Sequence, residues 1–405
     1  MSKSVLVTNF NIVNYTGSEL DTITIANYFL DNNYDVDILT FKYSNPLKRI
    51  VNKNINVYTF ENIEKLKNKY EIIWSHHFPI LDYVIFNKNI KADYIHYVSL
   101  SSFEPYECLP AYYKELSLVS TISKEAEISI KNECDVDLNI FPNYAPEDYF
   151  SNRKQQNSSK IKKICVVSNH VPDELGELKE IFETDGVKFD IFGIQYKSVK
   201  VDDKLLKKYD VVITIGKTVN YSLSLGIPVY CYDYMGGDGY ITKDNIKNSY
   251  AYNFSGRYTG KKKTAKQIYN DINNNYKTAC DNIESNYKYA YDHFNYNRLM
   301  EETLNKIKQK KVNLKQIIDN NVVLKRKSAL FIREVVNSIN QQEIYEKTIR
   351  NYQKIIDHYN KLLDDSNNEL YRILNSNSWK ITKPLRWFTS KFKKIIEFYD
   401  IHFIK

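Results

Sequence analysis

Short apolar runs alternate with helix-type patterns along roughly the first 250 residues. The run SVLVTN at 4–9 predicts a buried strand, and Leu20, Ile23 and Leu30 then recur at the spacing of one helix face. VDILT at 36–40 predicts a second strand, which completes a β-α-β unit. Such a unit begins a doubly wound parallel sheet.

Further strands follow in two groups. The first group is predicted at 55–60, 71–75, 94–100 and 118–123. The polar segment SNRKQQNSSK at 151–160 predicts a linker. The second group has predicted strands at 161–169, 187–193, 210–216 and 227–233, and predicted helices at 173–183, 202–208 and 218–225. Two such α/β halves leave a cleft at the carboxyl ends of their parallel strands, where ligands bind in these folds.

From about residue 262 onward the pattern is helical only. A spacing of three to four residues, over less than three heptads, is kept by Tyr345, Thr348, Tyr352, Ile355, Tyr359 and Leu362. Two interpretations stay open, a helix packed on its own protein and a homodimer seam.

Composition excludes several classes of protein. Hydrophobic residues make up 43% of the chain and charged residues 26%, which excludes collagen-like, disulfide-scaffold and wholly disordered proteins. Five scattered cysteines without a CxxC pair indicate reduced thiols and argue against a zinc site. No signal-peptide pattern and no apolar run of membrane-spanning length occur, so we expect a cytoplasmic chain.

The positive charge is concentrated at the C-terminal end. Residues 371–405 carry eight Lys or Arg residues against Glu397 and Asp400, which accounts for +6 of the net charge of +8. A nearly balanced remainder argues against nucleic-acid binding. The aromatic residues among these charges are typical of a segment that binds an anionic membrane surface, namely Trp379, Trp387, Phe388, Phe392 and Phe398.

Gly216 and Lys217 are predicted to lie where a strand ends and a helix begins. The amides of Thr218, Val219 and Asn220 would then form an anion site, and Lys217 would add a charged contact to a phosphate.

The next strand is followed by a predicted glycine-rich loop, which contains Gly236, Gly237 and Asp238. Such a loop would bring backbone close to a ligand. The alternative is that these glycines only form a tight turn.

The first strand is followed by Gly17, Ser18 and Glu19. Two interpretations of these residues stay open, contact with a ligand and a simple helix cap by Ser18. They do not form the GxGxxG pattern of a dinucleotide site. His76 and His77 end another strand and are candidates for a general base or a hydrogen bond to a sugar hydroxyl.

Three further groups of polar residues follow predicted strands. Ser99, Ser101 and Glu104 predict an acceptor-binding loop, with a solvated surface loop as the alternative. Ser168 and Asn169 open the second half, where the matching loop of a paired-Rossmann enzyme meets its nucleotide. Arg257 is a candidate phosphate contact or an ordinary surface charge.

With these residues in view, the chain resembles the GT-B glycosyltransferases, specifically the family-4-like group of bacterial surface polysaccharide synthesis. The similar segments are TGSELDTITIANYFLDNNYDVDILT, SLSSFEPYECLPAYYKELSLVSTIS, FPNYAPEDYF, VVITIGKTVNYSLSLGIPVYCYDYMGGDGY and LNSNSWKITKPLRWF. The likeness covers about 1–300 and the tail.

The resemblance implies an α/β fold of GT-B type, with two Rossmann-like domains facing a cleft and a C-terminal α-helical extension. The implied domains are an acceptor domain at 1–150, a nucleotide-sugar domain at 161–300 and a helical extension with a membrane-associating tail at 301–405.

From their positions after the predicted strands, we expect His76, His77 and Glu104 to act in catalysis. We expect Gly17, Ser18, Glu19, Ser99 and Ser101 at the acceptor, and Ser168, Asn169, Gly216, Lys217, Thr218, Val219, Asn220, Tyr221, Gly236, Gly237, Asp238 and Arg257 at the donor.

The implied activity is transfer of a sugar from a nucleotide-diphosphate sugar, with a UDP-sugar favoured, to a lipid-linked glycan. We expect no metal and no cofactor. We expect the protein at the inner face of the cell membrane, with the C-terminal helices as a candidate homodimer surface.

Two positions depart from the family. Tyr221 and Ile213 stand where it has a pair of glutamates. The loss of this pair leaves a second function open, a non-catalytic carbohydrate-binding or scaffolding subunit. A third is an epimerase, which also uses a paired-Rossmann cleft.

Overall fold

The computed structural model describes residues 3–101, 104–155, 158–193, 196–197 and 199–403, with side chains described as far as residue 393. Two units are present, Met1–Arg333 and Glu334–Lys405. The first unit contains both predicted α/β halves.

The first half is built on seven parallel strands in the order β5-β3-β1-β6-β7-β8-β9. The continuous apolar run of β1 is buried at every position, as expected of a parallel strand covered on both faces. These strands are β1 Ser4–Thr8, β3 Asp35–Leu39, β5 Asn56–Tyr58, β6 Lys69–Ser75, β7 Lys91–Ser99, β8 Leu118–Thr121 and β9 Asn139–Ile140.

Two short strands, β2 Asn11–Ile12 and β4 Lys42–Tyr43, form a separate parallel pair. The helices of this half are α1 Gly17–Asp31, α2 Phe78–Asp82, α3 Lys124–Glu133 and α4 Glu147–Ser151. Helix α3 begins after Ser123, whose hydroxyl accepts the Ala126 N–H as a cap. Helix α1 is preceded by Thr16 as its cap residue, so Ser18 is not the cap that the sequence suggested.

The second half is a five-stranded sheet in the order β11-β10-β12-β13-β14. Its strands are β10 Lys163–Val167, β11 Lys188–Phe192, β12 Val211–Thr214, β13 Val229–Asp233 and β14 Gly236–Tyr240, and its helices are α5 Asp173–Thr184, α6 Asp203–Leu206, α7 Lys217–Ser224 and α8 Ile246–Ala251. The predicted linker 151–160 has no helix or strand beyond Ser151 in its described residues.

The glycine-rich segment is not the loop that the sequence predicted. It is β14, which pairs antiparallel with β13 at the edge of the sheet. A Cβ at Gly237 would lie 2.0 Å from the Cys231 carbonyl oxygen, so a larger residue would push the two strands apart. The glycines here allow the backbones of two paired strands to approach each other. The number of glycines in the sequence does not distinguish this role from contact with a ligand.

Three helices follow, α9 Ala265–Asp281, α10 Ile283–Phe294 and α11 Tyr296–Ile307. Helix α9 begins with a capping box between Thr264 and Gln267 and packs on the second half. Helix α11 instead buries Tyr296, Met300 and Ile307 in the core of the first half. The chain therefore returns to the first half after completing the second.

The helical extension consists of α12 Leu314–Asn320, α13 Val322–Asn375, α14 Asn377–Ile381 and α15 Lys383–Phe403. Helix α13 starts in the first unit, where Ile332 is buried, and continues through the second. Its apolar residues beyond 333 are exposed, Tyr352 by 63% and Tyr359 by 65%. No helix within the described residues is long and apolar enough to cross a membrane.

The fold class predicted from the sequence is confirmed. The chain has two Rossmann-like sheets in the arrangement of a GT-B fold, followed by a C-terminal helical region. The domain bounds 1–150, 161–300 and 301–405 stay a prediction.

Candidate functional site

A cavity of about 240 Å³ lies between the two halves of the first unit. On the side of the first half, the cavity is lined by the start of α1, by the segments after β7 and β8, and by the connection to α4. On the side of the second half, it is lined by Lys217 of α7. The lining residues are Gly17, Ser18, Asp21, Leu100, Glu107, Ile122, Phe141, Pro142, Asn143, Tyr144 and Lys217. The volume is below the roughly 300–1,000 Å³ of whole-ligand pockets, and it suits part of a ligand, such as one sugar ring.

Lys217 reaches across the cleft to Asp21. Its Nζ lies 3.0 Å from Asp21 Oδ1 and 4.1 Å from the centre of the Tyr144 ring. Burial lowers the pKa of this amine, but the Tyr221 and Asp21 side chains raise it by more, so Lys217 keeps its proton. The cation proposed for a phosphate is therefore already paired with a carboxylate of the opposite half.

His76 stands behind this pair. Its Nε2 lies 3.6 Å from Asp21 Oδ2, which is too long for a hydrogen bond. Complete burial, together with the charges of His77 and Lys217, lowers the pKa of His76 to about 4 against the opposing effect of Asp21. The ring is therefore neutral at pH 7 and does not line the cavity.

His77 points to a different carboxylate. Its Nδ1 accepts the Phe10 N–H at 3.1 Å, and its Nε2 lies 3.6 Å from Glu107 Oε1. Glu107 lines the cavity, and its Oε2 is buried without a hydrogen-bond partner among the described residues. The two adjacent histidines thus serve two separate carboxylates on the first-half wall.

Arg257 makes a second ion pair across the cleft. Its Nε and Nη2 bind the two carboxylate oxygens of Glu125, at 2.8 and 2.5 Å, in the first turn of α3. The cation lies at the cleft, as the sequence suggested, but it contacts a first-half carboxylate.

The N-terminal turn of α7 is less open than the sequence suggested. Gly216 has φ +61°, and the Val219 N–H donates to the Gly216 carbonyl. Asn220 is buried and donates through Nδ2 to the Asn143 carbonyl at 2.6 Å. The Tyr221 ring stacks on Tyr149 at 4.4 Å. Thr218 lies half-buried beside Lys217.

Gly236, Gly237 and Asp238 lie on β14. Asp238 Oδ1 accepts hydrogen bonds from the N–H and the hydroxyl of Thr259. The contacts of Asp238 thus fix the segment that carries Arg257.

Ser168 and Asn169 follow β10. The Ser168 hydroxyl donates to the buried Asp233 carboxylate at about 3 Å. Asn169 lines a second cavity of about 240 Å³ between the halves. The other lining residues are Asn14, Tyr15, Thr16, Val167, Phe192, Gly193, Val199 and Val201.

The predicted acceptor residues divide into two sets. Gly17 and Ser18 line the first cavity, whereas Glu19 Oε2 accepts the N–H groups of Val13 and Asn14 and so holds the preceding loop. Burial raises the pKa of Glu19.

The loop after β7 contributes fewer residues than expected. Ser99 is buried and its hydroxyl donates to the Ser101 carbonyl at 3.3 Å. Ser101 is half-buried, and Glu104 is exposed. None of the three lines the first cavity, and Ser102 lies outside the described residues.

Two carboxylates at the cavity were missed by the sequence argument. Asp21 lies four residues after Gly17, so helical periodicity places it on the same face of α1. Glu107 lies three residues after Glu104 in the quoted segment, and no sequence signal separated the two.

Within the described residues, no group of three or more His, Cys, Asp or Glu side chains is arranged to hold a metal ion.

Comparison with known proteins gives weak likenesses only. No protein-family model matches the chain, and no curated protein matches its sequence. Among solved structures, it is similar to a mutant of S. aureus TarM in complex with Fondaparinux, alpha-GlcNAc-glycerol and UDP, at 13% identity and TM-score 0.47, over 76% of this chain and 100% of that one.

Two other solved structures show a similar degree of likeness. MurG of Acinetobacter baumannii is 11% identical at TM-score 0.44, over 76% of this chain and 99% of that one. The alpha,alpha-trehalose 6-phosphate synthase of Burkholderia multivorans is 8% identical at TM-score 0.44, over 80% and 98%. Similarity at this level assigns no activity to the chain, so its function has to be inferred from the site.

Proposed function

We propose that this protein is a glycosyltransferase that moves a sugar from a nucleotide-diphosphate sugar to a glycan acceptor. The observation that carries the proposal is the cavity between two Rossmann-like halves, because it is lined by the Lys217 cation of the second half and by Glu107 of the first half. A phosphate leaving group needs a positive charge, and an acceptor hydroxyl needs a group that takes its proton.

The donor lies, in this proposal, against the second half. Its diphosphate contacts Lys217 and displaces Asp21 from that amine, because phosphate forms strong charge-assisted bonds with an ammonium group. The apolar second cavity beside Asn169 holds the base. A UDP-sugar is the first donor to test, with no metal required.

The acceptor lies against the first half, where Gly17 and Ser18 line the cavity. We propose a lipid-linked glycan of cell-surface polysaccharide synthesis as this acceptor. Closure of the two halves on both substrates would exclude water from the donor.

A thermal-shift panel tests the donor. UDP, GDP, dTDP, CMP and their sugars are added with and without Mg²⁺. A nucleotide at 100 times its Kd should add about 2.7 kcal/mol of stability, a shift of a few degrees. Lys217→Ala should weaken binding of the selected nucleotide about 10- to 100-fold, as expected for loss of a charged hydrogen bond, while Lys204→Ala at an exposed position leaves it unchanged. Unaltered binding by Lys217→Ala would contradict the placement of the diphosphate.

A second candidate is a non-catalytic carbohydrate-binding or scaffolding subunit. Two observations favour it. First, Ile213, which is buried inside β12, and Tyr221, which stacks on Tyr149, stand where the family that the chain resembles has two glutamates. Second, the cleft cations Lys217 and Arg257 are both paired with carboxylates. Turnover of a nucleotide sugar separates the two candidates, because a scaffold would release no nucleotide.

We further propose that 371–405 holds the protein at the inner face of the cell membrane. Trp387, Phe388 and Phe392 are exposed, and Lys391 lies 4.4 Å from the centre of the Trp387 ring. Lys394, Phe398 and Lys405 lie outside the described side chains. Cationic groups interleaved with aromatic rings are typical of segments that bind anionic lipid surfaces.

Vesicle sedimentation tests this placement. Replacing Lys380, Lys383, Arg386 and Lys391 by Gln should weaken binding to phosphatidylserine vesicles by at least about 100-fold, since each cation contributes about 1 kcal/mol. The same change at the exposed Lys53, Lys65, Lys160 and Lys277 is the control. Equal losses in both variants would contradict a role of the tail.

Homodimer formation through α13 is also a proposal. Ile349, Ile356, Leu363 and Leu370 are exposed at seven-residue spacing, in the pattern of a coiled-coil seam. Sedimentation velocity of the full chain and of an Ile356→Asp/Leu363→Asp variant tests it. A wild-type chain that sediments as a monomer would leave the helix to another role.

A further inference from the structure

Two exposed tyrosines lie in the loop that follows α8. Tyr252 is 36% exposed, Tyr258 is 41% exposed, and their ring centres are 6.0 Å apart. We call this pair the tyrosine platform. Tyr234 and Met235 are also exposed and precede Gly236, whose carbonyl oxygen would lie 2.6 Å from a Cβ at Gly256 of the same loop. Large apolar groups that gather on a folded surface mark a binding surface.

The loop is held in one conformation from within the second half. Phe254 is completely buried against Phe294, with ring centres 5.7 Å apart. Asn253 and Phe254 have φ of +54° and +50°, a backbone conformation that is strained for residues with side chains and persists only where surrounding contacts hold it. Asn248 Nδ2 donates to the Tyr258 hydroxyl at 3.0 Å. A surface fixed in this way loses little conformational entropy when a ligand binds.

The same loop borders the cavity between the halves. Asn253 Oδ1 accepts a hydrogen bond at 2.7 Å from Nδ2 of Asn143, which lines the cavity. Arg257 pairs with Glu125, which follows the cavity residue Ile122 by three positions. The tyrosine platform therefore belongs to the rim of the cavity.

We propose that the tyrosine platform binds those sugar rings of the acceptor that extend beyond the cavity. This assignment rests on the proposed glycosyltransferase function, in which the acceptor is a glycan. The cavity has room for part of a ligand, such as one sugar ring, so the rest of a longer glycan passes over the rim.

The chemistry of the tyrosine platform suits a sugar. The face of a sugar ring carries C–H groups, which pack on the negative face of an aromatic ring, and its edge carries hydroxyl groups, which need hydrogen-bond partners. The Tyr258 hydroxyl and the Asn248 amide lie beside the rings and offer such partners. Tyrosine also provides rigid contact area at a low cost in entropy.

The expected consequence is a preference for long acceptors. Sugar rings on the platform add contacts outside the cavity, so a longer glycan should bind more tightly although the sugar in the cavity is the same. Binding of the nucleotide should not depend on the platform.

Binding of labelled glycans to the full chain tests the proposal. The probe is the cell-surface polysaccharide of the source cells, released by mild acid, separated by size and labelled at its reducing end for fluorescence anisotropy. The wild type should bind a long fraction at least about 10-fold more tightly than a disaccharide fraction, as expected for aromatic anchors. Tyr252→Ala/Tyr258→Ala should lose this difference.

Three further variants serve as controls. Tyr291→Ala removes an exposed tyrosine from α10 and should bind like the wild type. Tyr252→Phe/Tyr258→Phe keeps both rings and should retain most of the affinity. Tyr252→Ala alone leaves the bond between Tyr258 and Asn248 intact, so it tests the platform if the double alanine variant is unstable.

Two results would overturn the proposal. One is equal affinity of the wild type for long and short fractions, or of the alanine variants and the wild type for the long fraction. The other is a phenylalanine variant that loses as much affinity as the alanine variant, because ring stacking would then not be the cause.

Nucleotide release from the donor is measured separately on the same proteins. A wild type that releases nucleotide but has no preference for long glycans would overturn the role of the platform and leave the proposed function intact. A wild type that binds long glycans through the platform and releases no nucleotide would overturn the transferase function and leave the glycan site intact.

Discussion

Two adjacent histidines face two buried carboxylates at the same distance of 3.6 Å, yet the two carboxylates differ in what else they contact. His76 and Asp21 form a closed group, since the second carboxylate oxygen binds Lys217 of the opposite half. In the second pair, Glu107 Oε2 is buried and has no hydrogen-bond partner among the described residues. The closed group joins the two halves of the first unit, whereas the His77–Glu107 pair lies within the first half.

The comparison separates a carboxylate that neutralises a cation of the cleft from a carboxylate that neutralises none. Asp21 neutralises a cation, so its removal leaves a buried charge. Glu107 neutralises none, so its removal takes a buried charge away. The same substitution of a carboxylate by an amide therefore has opposite consequences in the two pairs.

The largest change in stability is expected for Asp21→Asn. Lys217 is 14% exposed and would remain as an unpaired buried cation, which typically costs about 3–5 kcal/mol. Urea unfolding measures this loss. The double variant Asp21→Asn/Lys217→Met should recover most of it, and a single variant as stable as wild type would show that the closed group does not hold the halves.

The next effect is a dependence of stability on pH through His76. Its pKa is about 4 in the folded protein and 6.5 unfolded, so the unfolded chain binds more protons between these values. Stability from this residue is full above about pH 6.5 and falls by about 3 kcal/mol as the pH drops to 4. His76→Asn should lack this contribution. The quantity to measure is the difference in unfolding free energy between the wild type and the variant at each pH. Burial raises the pKa of Asp82 to about 6, so Asp82 contributes a pH dependence of opposite sign, which is the same in both proteins and cancels in the difference.

A smaller effect of opposite sign is expected for Glu107→Gln. Replacing an unpaired buried carboxylate by a neutral amide should raise the free energy of unfolding by about 1 kcal/mol. A gain in stability, measured by urea unfolding, would sharpen the contrast with Asp21. A loss of several kcal/mol would mean that Glu107 is a structural residue.

The smallest effect is expected for Glu125→Gln. This carboxylate is 23% exposed and its partner Arg257 is 32% exposed, so solvent screens the pair, which contributes about 0.5 kcal/mol. The difference from wild type should shrink further in 1 M salt. An effect as large as that of Asp21→Asn would show that both cleft ion pairs are equally important.

Local patterns were sufficient for most elements of the two sheets. The apolar runs at 71–75 and 211–214 appear as buried parallel strands, and the helix expected near Lys124 begins there with Ser123 as its cap. A parallel strand that is buried on both faces requires a continuous apolar run, and a helix cap requires a short polar side chain. Both features can therefore be recognised in the sequence. The prediction of a loop for the glycine-rich segment was wrong, because glycines that allow close backbone approach occur both in paired strands and in ligand-binding loops.

By itself, the sequence determined the fold class, the succession of strands and helices along the chain, and the edge of the sheet at which polar residues lie. These features depend on residues that are close together along the chain. Only the tertiary structure decided that Asp21 pairs with Lys217, that His77 serves Glu107, and that Glu107 and not Glu104 lines the cavity. Asp21 and Lys217 are 196 positions apart along the chain, so their contact depends on how the two sheets meet. Ion pairing is short-ranged, so a displacement of a few ångströms changes which charges become partners.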